Sequence, residues 1–209
     1  NLLLQQSDYL VVLGSRLGLQ QTGFNWEEFV PFGKVVQVDI DPHELNKPNP
    51  KIDQAINADA DFILTNLLSF DLGEHPKWID YCKLIKDSLP VSEKFNITPN
   101  GYLIPYETVQ NLSPICKPLD HIVPCSSGGA FTVMMQAFDV KQGQTMVTNK
   151  GLASMGYGLS GAIGTAIADP DNRTALVEGD GGFTQNIQEL GTVSVNQLNI
   201  KIFLFCNEG

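Results

Sequence analysis

Two residues with oxygen-bearing side chains are spaced in this sequence so that they could hold one metal ion together. Asp180, flanked by two glycines, follows the apolar run 175–177, and Asn207 follows the apolar run 200–205. Because the carboxyl ends of neighbouring parallel strands meet at one edge of a sheet, the two side chains can approach each other. Mg²⁺ prefers oxygen ligands from one or two such side chains, completed by phosphates. The spacing therefore predicts a magnesium site that also holds a diphosphate.

Glycines around Asp180 favour the close approach of a phosphate. Gly179, Gly181 and Gly182 let the backbone turn sharply and present its NH groups. We expect a helix that starts near Phe183 to direct its positive end at the same phosphate. A Gly-Asp-Gly tripeptide alone is more often an ordinary turn, so the matching strands before Asp180 and Asn207 are what favour a metal site.

Two further segments could contribute to the same site. Ser126-Ser127-Gly128-Gly129 follows the apolar run 122–125 and could supply hydroxyl and NH groups to a diphosphate. A plain strand-to-helix turn explains this segment equally well. Met155 precedes a helix rich in small residues, and by itself it would be interpreted as a core residue.

The elements that must position these residues predict an α/β fold with two doubly wound parallel-sheet domains. In the first half we predict strands at 9–13 and 34–39, a short helix at 26–29 and a helix at 57–68. In the second half we predict strands at 122–125, 145–148, 174–177 and 200–205, with helices at 158–168 and 183–197. Three of the loops after these strands are glycine-rich or carry candidate metal ligands, at the sheet edge where such folds bind ligands.

The loose, proline-containing stretch 73–100 is predicted to be a linker that includes a helix around Trp78–Ile85. It separates a first domain, 1–72, from a second domain, 101–209. The chain begins without an initiator Met and stops just after a predicted strand, so we expect it to be a piece of a longer protein.

Composition narrows the classes of function. The formal net charge of −10 over 209 residues, without a cluster of basic residues, argues against nucleic-acid binding. No apolar run approaches the roughly 20 residues that span a bilayer. The four cysteines show no C-x-x-C spacing and the three histidines are scattered, so free thiols in the cytoplasm are expected and zinc is not.

Taken together and in their order along the chain, the segments described above resemble the corresponding segments of thiamine-diphosphate-dependent enzymes. Segments 151–168 and 177–190, together with Asn207, resemble the pyrophosphate-binding domain of these enzymes. The first half is similar to the central domain of the acetolactate-synthase-like branch, on segments 13–17, 22–23, 37–45 and 59–60. The resemblance implies that 1–72 is the carboxyl-terminal part of a central domain. It also implies that 101–209 is a pyrophosphate-binding domain truncated at its carboxyl terminus.

The resemblance also implies a role for individual residues. Asp180 and Asn207 would bind Mg²⁺ through their side chains, and Gly209 through its carbonyl. The diphosphate and the rings of the cofactor would be contacted by Gly128, Gly129, Ala153, Met155, Gly179, Gly181 and Gly182. In this set Met155 would wedge between the two rings, and the Ala153 carbonyl would accept a hydrogen bond from the pyrimidine amino group.

The activity that the resemblance implies is the decarboxylation of a 2-oxo acid such as pyruvate, followed by carboligation. Such a transferase or lyase would need thiamine diphosphate and Mg²⁺, and would be a homodimer or tetramer with its active site at a subunit interface. No catalytic residue is assigned here, because the activating glutamate of the family lies on an amino-terminal domain for which this chain offers no candidate. We therefore expect the isolated segment to be inactive.

The sequence departs from the family pattern at two places and leaves three alternatives open. Cys206 stands where an Asn is usual, and Ser160-Gly161 replaces Pro-Ala. The alternatives are a 2-oxo acid decarboxylase, a dinucleotide-binding module with Asp39 or Asp41 on a ribose hydroxyl, and a non-catalytic scaffold. Segment 14–18 is not G-x-G-x-x-G, which argues against NAD, whereas Arg16 and Asp39 are compatible with FAD. An intact Asp180 and Asn207 pair argues against the scaffold.

Overall fold

Two units make up the chain, one over residues 1–88 and the other over residues 89–209. The computed structural model describes residues 2–93, 95–99 and 101–207. Each unit is built on its own parallel sheet, and helices alternate with the strands along the chain. This confirms the α/β fold predicted from the sequence. The boundary between the units falls inside the predicted linker. The predicted domain limits, 1–72 and 101–209, stay a prediction.

The first unit contains a three-stranded parallel sheet in the order β1-β2-β3. Its strands are β1 (Tyr9–Leu13), β2 (Lys34–Asp39) and β3 (Gln54–Asn57), and its helices are α1 (Leu2–Gln6), α2 (Leu19–Thr22), α3 (Pro42–Leu45), α4 (Ala60–Leu67) and α5 (Pro76–Ser88), with a 3₁₀ turn at Trp26–Glu28. Val12, Val35 and Phe29 lie in its core. The β-branched residues of β1 and β2 fit the pleated surface of a buried parallel sheet.

The predicted helix at 57–68 is partly wrong, because a strand and a capped turn precede the real helix. Strand β3 was missed since only two of its four residues are apolar. The carboxylate of Asp59 accepts hydrogen bonds from the NH groups of Asp61 and Phe62, which starts α4 at Ala60. The predicted apolar stripe is also incomplete, since Leu64 and Leu68 are exposed.

The second unit contains a four-stranded parallel sheet in the order β5-β4-β6-β7. Its strands are β4 (His121–Val123), β5 (Thr145–Met146), β6 (Thr174–Gly179) and β7 (Ile200–Phe205). Its helices are α6 (Pro105–Leu112), α7 (Gly128–Ala137), α8 (Tyr157–Ala168), α9 (Asp180–Thr184) and α10 (Leu190–Val195), with 3₁₀ turns at Ser113–Ile115 and Ile187–Glu189.

The strand order of the second unit reverses direction at β4. The chain moves outward from β4 to β5 and then returns to the other side of β4 to form β6 and β7. Such a reversal opens a crevice at the carboxyl ends of the strands. Alternate residues of β6 face opposite layers: Ala175 and Val177 pack with α6 and α7, whereas Leu176 packs with α8.

The predicted helix over 183–197 is divided into α9, a 3₁₀ turn and α10. The division falls at Asn186, whose side-chain amide donates to the Gly156 carbonyl at 2.8 Å. Strand β7 occupies the predicted residues 200–205. Among the described residues, no helix combines the length and the apolar character needed to cross a membrane.

Candidate cofactor and metal site

The carboxyl ends of β6 and β7 bring the two predicted metal ligands to one edge of the sheet. Gly179 and Phe205, the last residues of these strands, are partners in the parallel register. Asp180 is therefore the first residue beyond β6, opposite Cys206, and Asn207 follows at once. Gly209, the third predicted ligand, lies outside the described residues.

The Asp180 carboxylate is held by hydrogen bonds from the loop around it. The Gly181 NH donates to Oδ1 at 2.9 Å, and the Cys206 thiol lies 3.4 Å from Oδ2. The Gly181 NH, the Cys206 thiol and the Asn207 backbone lower the pKa of Asp180 below its ordinary value, in that order of effect. The carboxylate is therefore ionised at neutral pH and is ready to bind a cation.

The donor set fits a hard cation bound together with a phosphate. Among residues 2–93, 95–99 and 101–207, no group of three or more His, Cys, Asp and Glu side chains could hold a metal ion. A cation at Asp180 would need amide, carbonyl and phosphate oxygens to complete its shell, which is the way Mg²⁺ is usually bound. A closed zinc site needs four protein ligands and would not fit here.

The loop after β4 leaves open space at its glycines. A Cβ atom added to Gly128 or to Gly129 would find no heavy atom within 4 Å. Gly128 has a φ of 76°, a value that side-chain-bearing residues rarely adopt, and it begins α7. A ligand could therefore approach the backbone closely at this turn.

The expectation that Ser126 offers its hydroxyl to a diphosphate is wrong. Ser126 is buried, and its Oγ donates to the Ser154 carbonyl at 2.5 Å. This hydrogen bond ties the loop after β4 to the loop before α8. Ser127 is the N-cap residue of α7, and its side chain makes no capping hydrogen bond.

Met155 lies at the surface beside the Asp180 turn and is not a core residue. Its side chain is 56% exposed. A Cβ atom on Gly181 would lie 3.7 Å from Met155 Cε, and the Gln185 amide nitrogen lies 3.7 Å from Met155 Sδ. Ala153, two residues earlier, has a φ of 53°, so its peptide is held in an uncommon orientation.

Glu178 and Asn186 belong to this region, although sequence reasoning did not select them. Burial raises the pKa of Glu178, and hydrogen bonding from the Gly158 and Leu159 backbone opposes that rise. Asn186 Nδ2 donates to the Gly156 carbonyl and lies 3.2 Å from Ser160 Oγ. The one available signal was a charged residue near the end of the otherwise apolar strand β6.

The residues that depart from the family pattern have partners in this fold. The Ser160 hydroxyl lies beside Asn186, and Cys206 contacts the Asp180 carboxylate. A Cβ atom on Gly161 would lie 2.9 Å from the ring of Tyr157, so glycine makes room for that ring in the first turn of α8. The departures are thus accommodated locally.

Comparison with protein families identifies the class to which the fold and site belong. Residues 127–209 match a family model described as "Thiamine pyrophosphate enzyme, C-terminal TPP binding domain". Residues 1–67 match the model described as "Thiamine pyrophosphate enzyme, central domain". The chain therefore belongs to the thiamine pyrophosphate (thiamine diphosphate) enzymes and carries residues of these two domains.

Individual relatives are acetolactate synthases. The chain is 34% identical over 214 residues to "Acetolactate synthase isozyme 1 large subunit" of Escherichia coli (strain K12). This match covers 100% of the present chain and 36% of the relative. It is 32% identical to "Acetolactate synthase large subunit" of Cyanidium caldarium, over 100% of this chain and 36% of the relative. The protein of the same name from Corynebacterium glutamicum is 31% identical, over 98% of this chain and 33% of the relative. The chain thus spans about a third of the length of these relatives.

Proposed function

We propose that this chain supplies the diphosphate and Mg²⁺ site of an acetolactate-synthase-like enzyme. Such an enzyme decarboxylates a 2-oxo acid such as pyruvate and joins the remaining fragment to a second carbonyl compound. The similarity to acetolactate synthase large subunits along the whole chain supports this choice over a decarboxylase that stops at the first step.

The observation that carries the proposal is the position of Asp180. An ionised carboxylate stands at the carboxyl edge of β6, next to the first residues beyond β7 and beside a turn whose glycines leave the backbone accessible. A cation between Asp180 and Asn207 would have protein oxygens on one side and room for phosphate oxygens on the other. This combination of groups suits a Mg²⁺–diphosphate ligand.

The residues of this chain would bind and orient the cofactor. Asp180, Asn207 and the Gly209 carbonyl would hold Mg²⁺, and Gly128, Gly129, Gly179, Gly181 and Gly182 would let backbone NH groups contact the diphosphate. Met155 would support the rings, and the Ala153 carbonyl would accept a hydrogen bond from the pyrimidine. When bound, thiamine diphosphate supplies the electron sink that accepts the charge released with carbon dioxide.

The groups that activate the cofactor would come from outside this chain. Glu178 is the carboxyl group closest in sequence to Asp180, but it is only 3% exposed and cannot touch a substrate. We therefore propose a homodimer or tetramer, located in the cytoplasm, in which another domain completes the active site at a subunit interface. The isolated segment would then be inactive towards pyruvate.

Binding calorimetry and a product assay test the proposal on the full-length protein. Thiamine diphosphate is expected to bind in the presence of Mg²⁺ and not after chelation of divalent cations, and the loaded protein is expected to release carbon dioxide from pyruvate and to form acetolactate. Binding that is indifferent to Mg²⁺ would contradict the metal assignment. Carbon dioxide release without a carboligation product would favour the decarboxylase.

FAD is a separate proposal for the first unit. It depends on two residues near the carboxyl edge of the first sheet. Arg16 follows β1, and Asp39 is the last residue of β2. Arg16 is already paired with Glu44 at 2.8 Å, so a flavin would have to share or displace that contact. A flavin absorption band in the purified protein would support FAD binding, and a colourless protein that gains no flavin on incubation would contradict it.

A further inference from the structure

Glu178 is a buried carboxyl group to which the proposed function gives no role. Side chains alternate along β6, so Glu178 points to the same layer as Leu176, which packs against α8. It is 3% exposed, and no Lys, Arg or His among the described residues forms an ion pair with it. Its Oε2 atom has no hydrogen-bond partner in the described part of the chain. A carboxyl group in such a place is costly and needs a reason.

The carboxyl group of Glu178 fills a gap between two glycines on different elements. A Cβ atom on Gly158, in the first turn of α8, would lie 2.5 Å from Glu178 Cδ. A Cβ atom on Gly182, in α9, would lie 2.8 Å from Glu178 Oε1. Real Cβ atoms essentially never come this close to such atoms, so a side chain at either position would have to displace the Glu178 carboxyl group. The side chain therefore acts as a spacer between the start of α8 and the turn of α9.

The two elements that Glu178 separates carry the two ends of the proposed cofactor site. Met155 lies two residues before α8, and Asp180 begins α9. Met155 Cε lies 3.7 Å from the point where a Cβ atom on Gly181 would stand, next to Asp180. Because Glu178 packs against both elements, we expect a change in its size to alter the distance between Met155 and Asp180.

We propose that Glu178 is a positioning residue that sets the separation between Met155 and the Asp180 turn. This inference rests on the proposed function, because the separation matters only to a ligand that contacts both ends. Thiamine diphosphate would place its rings at Met155 and its diphosphate at Asp180. Inorganic pyrophosphate would contact only the Asp180 end, so the two ligands report on different parts of the site.

The test compares both ligands, each with Mg²⁺, by calorimetry on the full-length protein. Glu178→Ala, which empties the gap, is expected to weaken thiamine diphosphate about tenfold, or roughly 1.4 kcal/mol, because Met155 and the Asp180 turn would no longer be held at the separation that the ligand needs. Its affinity for pyrophosphate is expected to stay within about twofold of wild type, because the Asp180 ligands themselves are unchanged. Glu178→Gln has the same shape and is expected to keep the wild-type ratio of the two affinities.

Two further variants complete the design. Glu178→Asp keeps the charge but is one methylene shorter, so it is expected to show the same selective loss even if Glu178→Ala fails to fold. Glu189→Ala removes a carboxylate that lies outside β6 and whose Oε2 accepts a hydrogen bond from Thr192, and it is expected to leave the ratio unchanged.

The outcomes distinguish a failure of the positioning role from a failure of the proposed function. A selective loss of thiamine diphosphate affinity in the alanine or aspartate variant, with a wild-type ratio in the glutamine variant, supports the positioning role. An equal loss of both ligands, or a glutamine variant as impaired as the alanine variant, overturns it while leaving the proposed function in place. A wild-type protein that binds neither ligand contradicts the proposed function and this inference with it.

Discussion

The two parallel sheets of this chain end in loops of opposite character. In the first unit the polar groups at the carboxyl edge satisfy one another: Glu44 pairs with Arg16 and Lys47, and the Asp39 carboxylate accepts from the Asp41 NH. In the second unit the corresponding edge is lined by glycines, and its carboxylate, Asp180, has no basic partner among the described residues. The same type of sheet therefore provides the position, and a carboxylate without a basic partner in the described part of the chain provides the capacity to bind a cation.

The largest expected effect comes from Asp180→Asn. Removing the charge leaves a side chain of the same shape, and we expect thiamine diphosphate affinity in Mg²⁺ to fall about 100-fold, or roughly 2.7 kcal/mol. The matched control is Asp39→Asn, at the end of β2 in the first unit. Calorimetry should find thiamine diphosphate binding unchanged in that control. Equal losses in both variants would remove the contrast between the two edges.

Substitutions at two glycines of α8, Gly158 and Gly164, test how tightly the second unit is packed around Glu178. Gly158→Ala would place a Cβ atom 2.5 Å from Glu178 Cδ. We expect it to lower the free energy of unfolding by about 1–3 kcal/mol through overpacking. Gly164→Ala adds a Cβ atom with no neighbour within 4 Å. In the same helix it should raise stability by about 0.5–1 kcal/mol. Denaturant unfolding that ranks these variants in the reverse order would contradict the packing.

Gly129→Ala is expected to weaken cofactor binding without changing the stability of the fold. Its Cβ atom would enter open space, so we expect the free energy of unfolding to change little. The affinity for thiamine diphosphate should nevertheless fall about tenfold, or roughly 1.4 kcal/mol, because the added methyl group occupies the space a phosphate needs. Unfolding and calorimetry on the same sample check both parts. An unchanged affinity would show that this turn does not contact the cofactor.

The smallest expected effect concerns Glu44 and its two basic partners at the carboxyl edge of the first sheet. Hydrogen bonds from Lys47 and then Arg16 lower the pKa of Glu44 below its ordinary value of 4.5. The pair therefore stabilises the folded state above that value, and the contribution is lost as pH falls through the lowered pKa. Because Arg16 is largely exposed, screening by solvent keeps this contribution small.

Glu44→Gln checks this pH dependence. The difference in unfolding free energy between wild type and the variant should be constant near neutral pH and should shrink as the pH falls below about 4.5 towards the lowered pKa of Glu44 in the folded state. Thiamine diphosphate binding should not change at any pH in this variant. A difference that grows on acidification would contradict the assigned direction of the pKa shift.

Patterns within single elements were enough to predict most strands of the two sheets and to place Asp180 directly after β6, whereas the metal ligands stay a prediction. The apolar runs of β6 and β7 are long and bounded, and the glycines around Asp180 mark the turn that follows β6. Strand β3 could not be found this way, because its residues alternate little and a capped helix follows directly. The predicted helix after Phe183 was too long because its break depends on a side-chain contact with Gly156.

Contacts between distant segments account for what the sequence did not reveal. Ser126 donates to a carbonyl 28 residues away, so its hydroxyl is occupied for a reason that no local pattern records. Glu178 lies between Gly158 and Gly182, and each of these glycines also fits an ordinary turn or helix. The gap that they form exists only once α8 has packed on the sheet.

The most direct test of a cation shared by Asp180, Asn207 and a diphosphate is electron–nuclear double resonance with Mn²⁺ in place of Mg²⁺. In the full-length protein with thiamine diphosphate, we predict phosphorus couplings to the bound Mn²⁺. These couplings should disappear in Asp180→Asn and weaken in Asn207→Ala. Phosphorus couplings that are identical in wild type and in both variants would show that the cation binds elsewhere and would contradict the account.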